Sequence, residues 1–348
     1  MRYSYTNFIK QNIAPKGATS IVVFNSNNVK ICSIGLGKMH HPIDNRLYSF
    51  GLISDLHFVE YGLGVTWSPS EKVDNALTYF ENNNCAFCAT TGDVTNRGFY
   101  ESGGTTFNSN QFEEYKRICD KHTINVYNAC GNHDSYFKPV TESITELESY
   151  TGKKLNFLIT QGDDIHIFLG QPSSGIPMSD EALQWLYEML EMYRNKRCFI
   201  YVHPYLDCGN ANSLYGNDVF SWWGTKTSVF KNLLKHYKNT ILFHGHSHND
   251  FNCQEVDKIA NYNESTGFRT VHIPSLSRPT QIIDGVRTTN DNNSFAYLVD
   301  VYTDYVILNG IDLINNGKVE PLGTYKIDTA LVNIPQKAFT DSTGIITV

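Results

Sequence analysis

Eight side chains in this 348-residue sequence could bind a metal ion or carry a proton, and each follows a short apolar run. They are Asp55 and His57, Asp93, Asn132 and His133, His203, and His246 and His248. Imidazole, carboxylate and amide donors together suit borderline transition metals such as manganese, iron or zinc, whereas calcium and magnesium prefer shells made of oxygen alone. Metal-assisted hydrolysis is the chemistry such a set could perform, provided the fold gathers it.

The elements that must do the gathering read as strands alternating with helices. Leu52-Ile53-Ser54-Asp55-Leu56-His57 is expected to be a buried strand. Residues two apart on it face the same way, which would bring Asp55 and His57 to one point past its C-terminal end. In an open α/β sheet that end is where ligands bind. Ser68-Pro69-Ser70-Glu71 reads as a capping box with proline at the first helical position, and Val73, Ala76, Leu77 and Phe80 follow as an apolar stripe. Residues 86–91 read as a strand running into Gly92-Asp93. Residues 111–121 read as a helix with Phe112, Tyr115, Ile118 and Cys119 on one face, and 124–130 as a strand ending at Gly131-Asn132-His133-Asp134.

The second half repeats the arrangement. Residues 164–169 are strand-like. Ser179 caps a helix striped by Leu183, Leu186, Leu190 and Tyr193. Residues 198–202 form a strand stopping at His203, a helix spans 227–236, and the strand 240–243 leads into His244-Gly245-His246-Ser247-His248. Residues 269–273, 295–301 and 305–308 read as further strands, the last two joined tightly at Thr303-Asp304. His244 receives no role.

Composition narrows the class. With 41% hydrophobic and 18% charged residues the chain can bury a large core. A formal charge of -7 argues against general nucleic-acid or membrane-surface binding. No apolar segment resembles a secretory leader or a membrane span, so a cytoplasmic or otherwise soluble protein is expected. The eight cysteines are expected to be free thiols, with Cys85 and Cys88 in the core rather than on a metal. Residues 1–46 read as a β-rich extension, with a hairpin of 21–24 and 29–34 around Asn25-Ser26-Asn27-Asn28, and residues 47–348 as the main domain.

The order D-x-H, GD, GNHD, a lone His, then GH-x-H resembles the metal signature of the calcineurin-like metallophosphoesterases, over roughly residues 48 to 250. The resemblance implies an α/β fold, a four-layer α/β/β/α sandwich, to which the N-terminal segment is a small β-rich addition. It implies two divalent transition-metal ions (Mn, Fe or Zn). Asp55, His57, Asp93 and His248 would hold one, and Asp93, Asn132, His203 and His246 the other, with Asp93 bridging. Two ions about 3.5–4 Å apart can clamp a phosphoryl oxygen and generate hydroxide at neutral pH. Family position makes His133 the residue that stabilises or protonates the leaving oxygen.

Departures from relatives refine this. Purple acid phosphatases place a tyrosine where this chain has Asn96, which argues against an iron–tyrosinate site. Serine/threonine phosphatases read GDxxDRG, and here Asn96 replaces the acid that orients their catalytic histidine; Phe58 stands where they carry glycine. Arg97 is retained as a candidate substrate-binding residue, a solvated loop cation being the other reading. Trp222 and Trp223 could stack on a substrate or lie in the core. The expected function is hydrolysis of a small-molecule or polymer phosphate ester, first a phosphodiester. The alternatives are a phosphomonoester (nucleotide or phosphoprotein) and an inactive scaffold. Residues 1–46 could contact a larger assembly.

Overall fold

The computed structural model describes residues 20–24, 30–35, 45–59, 65–96, 110–134, 140–171, 178–206, 223, 226–253, 261–265, 267–283, 286–315, 317–319 and 322–336. The chain divides into two compact units, Met1–Asn45 and Arg46–Val348. In the first, β1 (Ser20–Phe24) pairs antiparallel with β2 (Lys30–Gly35); their expected connecting loop lies outside the described residues.

The second unit is built on two sheets. One contains β3 (Arg46–Ile53), β4 (Cys88–Thr90), β5 (Val126–Asn128), β14 (Phe295–Tyr302), β15 (Tyr305–Asp312), β16 (Gly317–Lys318) and β17 (Thr324–Asp328). Its order is β16-β15-β14-β3-β4-β5, with β17 also on β15; β3, β4 and β5 run parallel, and the C-terminal strands add on antiparallel. The other sheet has the order β10-β11-β9-β8-β7-β6. Its strands are β6 (Phe157–Gln161), β7 (Asp164–Phe168), β8 (Cys198–Val202), β9 (Thr240–His244), β10 (Tyr262–Asn263) and β11 (Arg269–His272).

Alternation along these strands creates the layers. Phe50, Leu52, Tyr297 and Val299 from the first sheet pack against Phe199, Tyr201, Ile241 and Phe243 from the second. The opposite face of the second sheet, with Ile200, Val202 and Leu242, is covered by α4 (Asp180–Met192) through Leu186 and Leu190. Phe230 and Leu234 of α5 (Thr227–His236) cover it too. The outer face of the first sheet, with Ile53, Cys88, Ala296 and Leu298, is covered by α1 (Pro69–Asn82), α2 (Asn110–Cys119) and α3 (Val140–Thr151). The result is a helix–sheet–sheet–helix sandwich. Each fully buried aliphatic or aromatic side chain contributes about 1.5–3 kcal/mol of transfer free energy.

A polar seam crosses the sheet-on-sheet core. Tyr48 on β3 donates to Asp164 on β7 (2.8 Å) and lies 3.1 Å from Nε2 of His166, whose Nδ1 is 2.8 Å from the Tyr201 hydroxyl. Tyr48 gives its only proton to Asp164, so His166 donates from Nε2 and accepts at Nδ1. Arg197 closes the seam with a bidentate pair to Asp164 at 3.0 and 2.7 Å. Burial and the nearby guanidinium push His166 down to about 3, so it stays neutral.

Three local expectations change. Ser68 precedes α1 in a left-handed conformation (φ 40°), and its side chain makes no capping bond. A capping serine needs extended backbone to aim its oxygen at the first turn, so only the proline half of the signal operates. Strand β3 stops at Ile53, before the Asp55–His57 pair. The short hairpin β12 (Thr280–Ile283) and β13 (Val286–Thr289) was not anticipated, although Asp284-Gly285 between the two runs is a hairpin-turn signal. By contrast, Ser179 accepts from the Ala182 amide at 3.1 Å, as a cap should. The described cysteines 85, 88, 119 and 198 are free thiols, and Cys88 lies in the core with Cys85 packed against it. No helix among the described residues is long and apolar enough to cross a membrane.

Candidate metal centre

Beyond Ile53 the chain no longer alternates as a strand. It runs beside the 92–94 turn, with Asp55 N bonded to Gly92 O, Leu56 N and His57 N to Asp93 O, and Phe58 N to Val94 O. Asp55 and His57 have φ of 53° and 50°, so left-handed backbone, rather than strand pleat, aims both side chains inward. Asp93 (51°), His246 (72°) and His248 (59°) are left-handed as well. Such conformations are uncommon outside glycine and cost on the order of 1–3 kcal/mol where sterically strained, the less so for Asp, Asn and His. Five of them converge on one spot.

The convergence forms two groups that share one residue. Potential ligand atoms of Asp55, His57, Asp93 and His248 lie within 4.8 Å of one another, and so do those of Asp93, His203 and His246. The Nε2 atoms of His57 and His248 face each other at 2.9 Å, and Asp93 Oδ2 lies 3.1 Å from His203 Nε2. Asn132 is buried, and among the described residues neither its Oδ1 nor Asp55 Oδ1 has a hydrogen-bond partner, Asp55 Oδ1 lying 3.3 Å from His248 Nε2. Unsatisfied buried oxygens beside crowded imidazole nitrogens are costly unless a cation fills the gap, so this donor set fits a divalent pair.

The surroundings orient these groups. His203 Nδ1 donates to the Thr91 carbonyl at 3.0 Å, which turns Nε2 towards Asp93. Thr91 also donates its hydroxyl to Ser54 (2.6 Å), and Ser54 donates to Asp55 Oδ2, which further accepts from His246 N at 3.1 Å. Asp134 binds Gly131 N and Thr95 N, both at 2.8 Å, and so ties the two motif turns together. Sequence reading had assigned Ser54, Thr91 and Asp134 no role; Asp134 was visible in the motif, the two hydroxyls were not. Gly131 is required because a Cβ there would strike Asp93.

Charge follows this geometry. Burial alone would raise Asp93, but His203, His133 and His57 outweigh it and hold the carboxyl well below its usual range. Asp55 is likewise held low, by His248 and His203 against burial. Burial disfavours a charged His203, yet Asp93 and Asp55 raise it to about 9. Burial and His203 push His246 down to about 3.

His133 N donates to Asp93 Oδ1 at 2.9 Å, and its Nδ1 meets the Asn96 carbonyl at 2.5 Å. A carbonyl only accepts, so Nδ1 carries the hydrogen. The residue whose side chain cannot replace the missing acid orients the imidazole through its backbone instead. Arg97 and Trp222 lie outside the described residues. Trp223 is buried, its indole donating to Tyr205 O at 2.9 Å, so it belongs to the core rather than to a stacking rim.

Comparison with known proteins agrees with the architecture. The calcineurin-like phosphoesterase family model matches residues 48–317. No curated protein sequence matches the chain. Among solved structures, a dimetal phosphatase from Danio rerio superposes with a TM-score of 0.56 at 13% identity, over 82% of this chain and 99% of that one. GAP50, the anchor in the inner membrane complex of Plasmodium, gives 0.51 at 10% identity, over 86% and 92%.

Proposed function

Since the chain belongs to the calcineurin-like phosphoesterases, metal-dependent hydrolases of phosphoric esters, we propose that it cleaves a phosphodiester at the centre formed by Asp55, His57, Asp93, Asn132, His203, His246 and His248. The observation that carries this is the pair of ligand groups sharing Asp93, with His133 bonded to the same carboxylate. Manganese, iron or zinc is the proposed occupant, because four imidazoles outnumber two carboxylates and one amide. When bound, two such ions polarise a phosphoryl group and acidify water. The protein's part is to fix the donors and to keep His133 oriented through Nδ1, so that proton transfer to the leaving oxygen falls to Nε2. The diester preference is supported by the GHSH pattern and by Asn96 in place of tyrosine or acid.

Elemental analysis paired with manganese-dependent hydrolysis of bis(p-nitrophenyl) phosphate and p-nitrophenyl phosphate tests this reading. Two ions per chain and faster diester cleavage are expected. Faster monoester cleavage would shift the substrate class, and no metal and no turnover after reconstitution would overturn the hydrolase reading.

A further inference from the structure

Arg278 sits on a loop tied to Asp55 and His248, and through Trp67 to His57, the three candidate ligands that stand with Asp93 in one group. At the start of that loop, Ser275 Oγ donates to Asp55 O at 2.9 Å and accepts from Arg278 N at 2.9 Å. At its end, Thr280 N donates to His248 O at 2.8 Å. The guanidinium stacks over Trp67, 4.5 Å from the ring centroid, and the Trp67 indole donates to His57 O at 3.0 Å. Asp55, His57 and His248 are thus linked through their backbones to the platform that carries this cation.

The platform is held firmly from below. Lys72 Nζ donates to the carbonyls of Ser277, Asp291 and Asn293 at 2.6, 2.6 and 2.7 Å, which fixes both loops around Arg278. The guanidinium itself is less committed. Its ion pair, to Asp291 Oδ1, is long at 3.8 Å, the buried Nε has no hydrogen-bond partner among the described residues, and the side chain as a whole is 34% exposed. A planar cation stacked on an aromatic ring keeps its in-plane donors for a forked anion such as phosphate or carboxylate.

Resting on the hydrolase reading above, we propose that Arg278, presented by Trp67, binds a second anionic group of the substrate beyond the scissile phosphoryl. The substrate is then a phosphate ester carrying a further phosphate or carboxylate. Asp291 and Trp67 position the guanidinium and do not touch the reacting atoms.

Calorimetric titration of the manganese-loaded protein with three non-hydrolysable probes tests this: phenylphosphonate, 4-phosphonobenzoate and benzene-1,4-diphosphonate. The doubly anionic probes are expected to bind at least tenfold more tightly than phenylphosphonate, and whichever gains more identifies carboxylate or phosphate as the partner. Arg278→Met should abolish that advantage and leave the phenylphosphonate Kd within twofold, while Arg278→Lys should keep part of it. Equal binding of all three probes by the native protein, or an advantage that survives Arg278→Met, would overturn the proposal. If Arg278→Met does not fold, Arg278→Lys and Arg278→Gln carry the same comparison. The hydrolase reading fails separately, through absent turnover of bis(p-nitrophenyl) phosphate.

Discussion

Replacing Gly245 with alanine probes the site without replacing any candidate ligand. A Cβ at this position would overlap Ser54 Oγ and lie 2.6 Å from Asp55 Oδ2 and 2.9 Å from Thr91 Oγ1. These atoms form the hydroxyl relay that holds Asp55. Ordinary contact begins near 3.4 Å, so either the carboxylate or the 245–248 turn must retreat by about 0.8 Å for the Asp55 contact alone. Displacements of about 1 Å at a reacting centre cost on the order of 100-fold, and disturbed outer contacts typically weaken metal affinity about 10–100-fold. Gly245→Ala should therefore weaken manganese binding about 10–100-fold, roughly 1.4–2.7 kcal/mol. The overpacking itself should destabilise the metal-free fold by about 1–3 kcal/mol. Titrating metal-free protein with manganese, beside thermal unfolding without metal, measures both. Adding Ser54→Ala removes the nearest obstacle and should recover part of the stability. Manganese affinity within threefold of native, or a double variant no more stable than the single one, would refute the overlap argument.

Other expectations address the shared ligand, the proton donor and the polar seam. Asp93→Ala should lose both ions and all turnover, because both groups include it; two ions per chain by elemental analysis would contradict the bridging role. His133→Ala should keep its metal and lose most activity on esters with poor leaving groups but least on p-nitrophenyl esters, so rate against leaving-group pKa is the measurement. The His166 imidazole titrates near 6.5 unfolded and about 3 folded. Its neutral form is therefore favoured in the fold, and the stability it contributes is complete above pH 6.5 and declines as pH falls towards 3. Over the roughly 1.5 units from 6.5 to 5 that amounts to about 2 kcal/mol. Between pH 6.5 and 5 the native chain should lose about 2 kcal/mol more stability in denaturant unfolding than His166→Phe. Asp164→Ala leaves Arg197 buried without its carboxylate, which should cost about 3–5 kcal/mol in the same assay.

The GAP50 neighbour shows that this fold also occurs in a protein described as an anchor. Fold alone therefore does not make an enzyme. What favours hydrolysis in this chain is the retained donor set, which no described position interrupts.

Much of this was readable from the chain by itself, for definite reasons. The donors lie in short motifs whose spacing is local, so D-x-H, GD, GNHD and GH-x-H could be recognised in order. The stripes Val73-Ala76-Leu77-Phe80 and Leu183-Leu186-Leu190-Tyr193 report helices because a period of 3.6 survives in sequence, and all but Tyr193, which caps its helix half-buried, are buried. The backbone that aims the donors was not readable. Alternation predicted that Asp55 and His57 converge, and they do, yet through left-handed φ after the strand has ended. Local pattern carries no mark of such a conformation, since it is imposed by amide bonds to the 92–94 turn some forty residues away. The contacts between groups depend still more on closure of the sandwich. His57 meets His248 across 191 residues, and Ser275 reaches Asp55 across 220. Side-chain chemistry is a property of single residues and short spacings, and is written in the sequence. Which carboxylate is shared, which carbonyl orients an imidazole and which aromatic ring carries a guanidinium are decided only when distant segments pack, because each depends on positions that no local spacing encodes.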